Sequence, residues 1–358
     1  MNVFISIAEF CSYLLFSLLA GHVALQFVSD ENKPKITISK QILLLCTLGI
    51  YICSFAPVAQ TISYFKDSVG LTLTAFSVIT DFQVGRAWLI IGFVSVLFWI
   101  TLMLNGSKYL QALWLFLMVL AVGYSSHVAS LSFWNGLVAH SLHYLLVILW
   151  TGILIHVAWF SNEQQKWAKF LHWFTPFGVM SILVIILSGA TLMIYVVELK
   201  DYVKSWVLPY GQMLLLKHIS VIPLLVFAFI NGVLAKKSLA MPDFNPRFWV
   251  KAESVIIFII FYFTSVLGTL SPPHEVEFTV KSEGASKWVE WMFGKDILTT
   301  SNIEFASNFS TIFLSLISFL LLSLILLSFK KVKPMVGVYF GIGFIFTMYF
   351  GLMISLLV

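Results

Sequence analysis

Ten long, mostly apolar runs follow one another through this chain, at about 3–28, 41–63, 87–105, 109–126, 135–160, 173–197, 211–235, 250–270, 308–329 and 335–357. A helix crossing the ~30 Å hydrocarbon core of a bilayer needs about 20 such residues. The repetition points to one fold class: an all-α, polytopic transmembrane bundle of about ten spans. Composition agrees. Of 358 residues, 60% are hydrophobic and only 10% charged, whereas a soluble domain carries about a quarter charged residues. Most of the length is used up in spans. The expected domain is therefore a single one over 1–358, with the polar stretch 271–307 as a small outer cap.

Loop charges set an orientation. With the N-terminus outside, the inner loops hold Lys33, Lys35, Lys40, Lys108, Lys166, Lys169, Lys236, Lys237, Arg247, Lys251, Lys330, Lys331 and Lys333. The outer segments hold fewer basic residues and most of the acids. Short cytoplasmic loops are enriched in Lys and Arg, so both termini are expected outside. The stretch 64–86 is too polar for a secure span and reads as an interfacial helix or structured loop. The start, "MNVFISIAEFCSYLLFSLLAGHVAL", lacks a basic leader and reads as a retained span rather than a cleavable signal.

Several function classes drop out. The net charge of +5 belongs to membrane loops, not to a nucleic-acid surface. No phosphate-binding glycine loop is present, so no nucleotide is expected and ATP-driven pumping by this chain alone is disfavoured. Cys11, Cys46 and Cys53 lie inside apolar runs without a CxxC pair, which leaves no cysteine-based metal motif.

The histidines are the chemistry-bearing residues. "GLVAHSLHYLLVILWTGILIH" (136–156) is apolar enough to span yet holds three. Three helical residues turn about 300°, so His140 and His143 share a stripe. His156 falls on another face at the other end. With this topology His127, His140 and His143 lie toward the outer side, and His218 lies in the outer third of its span beside Lys217. His22, His156 and His172 lie near the inner face. A lone intramembrane His often only bonds a neighbouring helix. A pair on one face fits a ligand site better, since ionisable groups inside spans usually mark a pathway. Lys217 needs a partner, either carbonyls or Asn231.

Imidazole suits copper, zinc, iron and nickel, and thioether adds preference for Cu(I). Met193 and Met213 sit at suitable depth. Carboxylates are sparse in the spans, with Glu9 the main one near the outer side, and this disfavours a hard-cation site. The candidate metal residues are therefore His127, His140, His143, His218, Met193 and Met213.

The order of short motifs resembles the copper resistance D (CopD) family over about 127–240. His127 is followed by His143-Tyr144-Leu145-Leu146 and Leu149-Trp150-Thr151-Gly152. Trp173-Phe174-Thr175-Pro176-Phe177-Gly178 then stands for the family's Arg-Phe-Ser-x-x-Ala, and Ser188-Gly189 for its Thr-Gly. Tyr210-Gly211, Lys217 and Asn231 keep the family's later spacing. The family's Arg is absent, and Ile153 replaces a second Gly. The resemblance implies copper handling, commonly uptake, at a bacterial cytoplasmic membrane, by a protein that is not an enzyme. It implies a copper ion, Cu(I) or Cu(II), supplied by a separate extracytoplasmic copper-binding carrier. A cation entering an inside-negative cell gains ~2.3 kcal/mol per charge per 100 mV. Two other readings stay open. One is a haem-binding membrane redox protein, since His residues on separate spans can ligate haem. The other is a factor that delivers copper to an oxidase during assembly.

Overall fold

Apolar runs become helices because a chain without water must satisfy every backbone group internally. The computed structural model describes residues 2–161, 166–238, 244–301, 303–331 and 333–357. It forms two compact units, Met1–Leu192 and Met193–Val358. The first contains α1 (Asn2–Leu25), α2 (Lys40–Cys53), α3 (Ala56–Val69), α4 (Leu71–Thr80), α5 (Gln83–Met103), α6 (Lys108–Tyr124), α7 (His127–Leu131), α8 (Phe133–Trp159) and nearly all of α9 (Trp167–Ile194). The second contains α10 (Pro209–Phe229), α11 (Ala235–Ser238), α12 (Pro246–Gly268), α13 (Val276–Glu283), α14 (Lys287–Phe293), α15 (Phe309–Lys330) and α16 (Pro334–Ile354). Its two short strands, β1 (Glu304–Phe305) and β2 (Leu356–Leu357), pair antiparallel.

Among the described residues, nine helical stretches are long and apolar enough to cross a membrane. This is a multi-pass, all-α protein. The expected tenth span is α6, which at 17 residues is shorter than the others. The expected run 41–63 is broken. α2 stops at Cys53 and α3 restarts at Ala56 with Pro57 in its first turn, where a missing N–H is harmless. The stretch 64–86 is helical on both sides of Gly70, whose φ of 91° suits glycine.

The core of the first unit joins Phe16 and Leu19 of α1, Ile50 of α2, Phe98 of α5, Met118 of α6 and Ile148 of α8, all fully buried. α1 and α8 cross in close contact. A methyl group at Gly152 would overlap the Ser17 carbonyl, and one at Gly21 would overlap the Gly152 carbonyl. Small residues permit this backbone approach, which is how helices associate where lipid supplies no hydrophobic drive. In the second unit α10, α12, α15 and α16 surround the fully buried Phe227, Trp249 and Phe344.

Within the polar stretch, residues 271–301 carry α13 and α14. Glu277 organises this segment. Its carboxylate accepts from Thr299 Oγ1 (2.7 Å), from the Thr300 N–H (2.7 Å) and from the Thr300 hydroxyl, and it pairs with Lys281 at 3.0 Å. These donors hold it at about 2, below the usual 4.5, the Thr300 hydroxyl contributing most.

Two outcomes follow. Gly152→Leu should destabilise the purified protein by ~1–3 kcal/mol or more, read as a lower melting temperature. Gly268→Ala, which meets nothing within 4 Å, should not. The Glu277 carboxylate favours the folded 276–301 segment at and above its usual 4.5, and that contribution is lost as pH falls toward 2. Pepsin cleavage within 276–301, normalised to an unstructured substrate, should therefore rise between pH 4.5 and 2. In Glu277→Gln it should already be high at pH 4.5. Flat cleavage in the unmodified chain would refute this role.

Candidate metal site

α8 is long enough to separate its histidines. From His140 to His156 the helix rises about 24 Å. His140 and His143 lie near its N-terminal end, His156 in its last turn.

His143 is held by α9. Its Nδ1 lies 3.0 Å from the Ile185 carbonyl oxygen and 3.2 Å from Ser188 Oγ. A carbonyl can only accept, so Nδ1 carries the proton. The Ser188 hydroxyl donates to the Val184 carbonyl at 2.6 Å, leaving its oxygen to accept as well. The neutral ring then has its lone pair on Nε2, and a His fixed through the opposite ring N–H is the usual arrangement of a metal ligand. Space for the ring depends on Gly189, where an added methyl would stand 3.2 Å from His143 Cε1.

His140 lies one turn earlier on α8. It stacks on Tyr144 with centroids 6.3 Å apart and planes 11° from parallel. Tyr144 in turn meets Phe16 edge-on at 5.3 Å and Tyr13 at 5.6 Å. His127 opens α7, where the Ser126 hydroxyl caps the helix by accepting from the Ala129 N–H. α7 folds back on α8 because Gly136 lets the backbone at Val128–Ala129 approach. His127 is exposed there, at the same end of α8 as His140.

In the second unit, His218 Nδ1 lies 2.8 Å from the Tyr202 hydroxyl. Burial pushes that phenol up to about 12, so it keeps its proton and can donate or accept. Only when it accepts does His218 keep a lone pair on Nε2. Met213 of α10 and Met193, in the last turn of α9, are half-buried. His172 and His274 are exposed. Among the described residues, no three His, Cys, Asp or Glu side chains come together as a metal-holding group.

The suggested Lys217–Asn231 pair does not form. Fourteen residues on one helix are about 21 Å apart, beyond side-chain reach. Asn231 Nδ2 instead donates to Glu253 Oε2 (2.6 Å) and to the Trp249 carbonyl (3.1 Å). Asn231 sits in a π-helical turn, Ile230–Leu234, that continues α10, and such turns recur at functional sites. Glu253, 2% exposed, was missed by sequence reasoning. It stands near the start of its apolar run beside Arg247 and Lys251, where an acid reads as a loop residue. The signal was its place as the fourth residue of that run.

Residues 168–267 match one family model, Copper resistance protein D. The match supports a CopD family protein. No curated protein and no solved structure matches the chain. The CopD segment begins at the start of α9 and runs to the end of α12. It therefore contains Ile185, Ser188 and Gly189, which cradle His143, and also Lys217, His218, Asn231 and Glu253. His127, His140 and His143 precede it. Residues 168–267 are thus similar to copper-resistance membrane proteins.

Asn231→Leu should strand the Glu253 carboxyl and destabilise the protein by ~1–3 kcal/mol. Adding Glu253→Leu should restore much of the loss, since removing both partners is far milder than removing one. Additive losses in a denaturation cycle would show that the two side chains are not coupled.

Proposed function

We propose that this chain binds copper through imidazoles near the N-terminal end of α8 and carries it inward across a bacterial cytoplasmic membrane. The observation that carries the reading is the His143 geometry. Its Nδ1–H is fixed on the Ile185 carbonyl and Ser188 of the CopD segment, which leaves Nε2 as the donor atom. His140, on the same stripe, and His127, at the same end, are the further donors of that unit. His218, Met193 and Met213 are proposed as donors within the second unit.

Copper is the cargo here. Neutral imidazole accepts Cu(I) or Cu(II), and a thioether favours Cu(I). The inside-negative potential supplies ~2.3 kcal/mol per charge per 100 mV, so import needs no nucleotide. The loop charges support an outer location for His127 and His140. A separate copper-binding carrier outside the membrane would deliver the ion. Two or three donors hold copper without burying it beyond exchange, as a transport step requires.

Metal analysis of the purified chain should find copper, and His140→Ala/His143→Ala should lose most of the copper held at that end. Cells producing the unmodified protein should accumulate more copper than cells producing this variant. A Soret band with bound iron would overturn the reading in favour of a haem protein. Bound copper without any change in cellular copper would favour delivery to another protein over import.

A further inference from the structure

We propose that His22 and His156 form a second metal site, a two-imidazole Cu(I) site, at the foot of a cavity at the opposite end of α8 from His140. The choice of ion rests on the copper reading above. The geometry does not.

A cavity of about 570 Å³ lies in the first unit, lined among others by His22, Gln26, Lys33, Lys35, His156 and Lys166. His156 is 1% exposed. Its Nδ1 lies 2.8 Å from the Gly152 carbonyl oxygen, which can only accept, so Nδ1 carries the proton and Nε2 the lone pair. Nε2 is buried, and no hydrogen-bond partner reaches it among the described residues. An unsatisfied buried acceptor costs ~1–3 kcal/mol. This one belongs to a side chain that lines a cavity, on a ring prepared for metal in the way His143 is. The ring is packed against Gly21 on one side, where an added methyl would stand 2.5 Å from Nδ1. Phe160 lies near it, centroids 5.7 Å apart.

Gly21 precedes His22, so the crossing that seats His156 also brings the second imidazole to the cavity. Beside His22 on the cavity wall, Gln26 donates to the Gln111 side chain at 2.7 Å. Both histidines lie in the last turns of their helices, where the helix dipoles favour a cation.

The remaining lining narrows the ion. Lys33 Nζ donates to the Leu25 and Val28 carbonyls at 2.6 and 2.8 Å and pairs with Asp30 at 3.2 Å. Lys166 Nζ donates to the Asp30 carbonyl at 3.0 Å. The one lining carboxylate, Asp30, is opposed by Lys33, Lys35 and Lys166, so the lip is net positive. Repulsion from that lip grows with ionic charge, which disfavours divalent ions. Two neutral imidazoles beneath a lip whose one carboxylate is outnumbered by lysines suit a soft monovalent ion.

The test is anaerobic Cu(I) titration of the purified full chain against a colorimetric Cu(I) chelator. His22→Asn/His156→Asn should lose one Cu(I), or bind it at least ~10-fold more weakly, since even a supporting residue contributes 10- to 100-fold. His156→Met should keep Cu(I), because a thioether replaces the imidazole. His22→Asn alone, at a half-buried position, guards against misfolding, with gel filtration and melting temperature as controls. Unchanged Cu(I) stoichiometry and affinity in the folded double variant would overturn the proposal. If His140→Asn/His143→Asn then still loses copper, the inner site fails while the copper reading stands. Loss in the His22/His156 variant alone would support this site and count against the one at His143.

Discussion

The contact between Gly21 and Gly152 sets the geometry on which the first unit depends. It brings the backbones of α1 and α8 together with no side chain between them. On one side of it, Tyr144 is pressed among Tyr13 and Phe16, which fixes the ring beneath His140. On the other, the Gly152 carbonyl takes the Nδ1–H of His156 while Gly21 flanks the same ring. A larger residue at either glycine would separate the helices and misplace both. Lipid offers no hydrophobic gain for helix pairing, so close packing of this kind supplies much of the association.

Two imidazoles of α8 are oriented by the same device. His143 and His156 each place Nδ1 on a main-chain carbonyl, one across to α9 and one back along α8 itself. Backbone carbonyls inside a helix are among the most rigid acceptors a protein has, and they fix the tautomer without a charge. A carboxylate in that role would need its own partner in a low-dielectric setting. The neutral arrangement therefore suits a membrane segment, and it leaves Nε2 as the basic nitrogen in both rings.

How much of this was legible in sequence follows from the physics of each feature. The spans were legible because spanning length and apolarity are properties of a continuous stretch. The His140/His143 stripe was legible because helical phase is local. Which helix faces each ring was not, because that depends on how the neighbours cross. The break before Pro57 was carried by a single residue inside an otherwise smooth apolar run. Lys217 needs a partner and Asn231 is a polar group on the same span, but fourteen residues of helix rise put them out of reach. Glu253 was hidden by its neighbours Arg247 and Lys251, although only a partner such as Asn231 explains a carboxyl so deeply buried. The CopD motifs gained a physical basis where they could be placed: Ser188 and Gly189 are the acceptor and the gap that receive His143.

The same glycine contact also limits how an ion can travel under the proposed reading. His143 and His156 are thirteen residues apart, about 20 Å along the helix, too far for a direct exchange of ligands. Between them α8 presents Ile148, Thr151 and Gly152, all buried, and the α1–α8 crossing leaves no room there even for a methyl group. A cation moving along this helix pair must therefore follow the outside of the crossing or wait for it to part. Parting would withdraw Gly21 from the His156 ring and carry His22 away with α1. By the second route the two-imidazole pair would exist only while the crossing is closed, so opening the path and releasing the ion at His156 would be one motion.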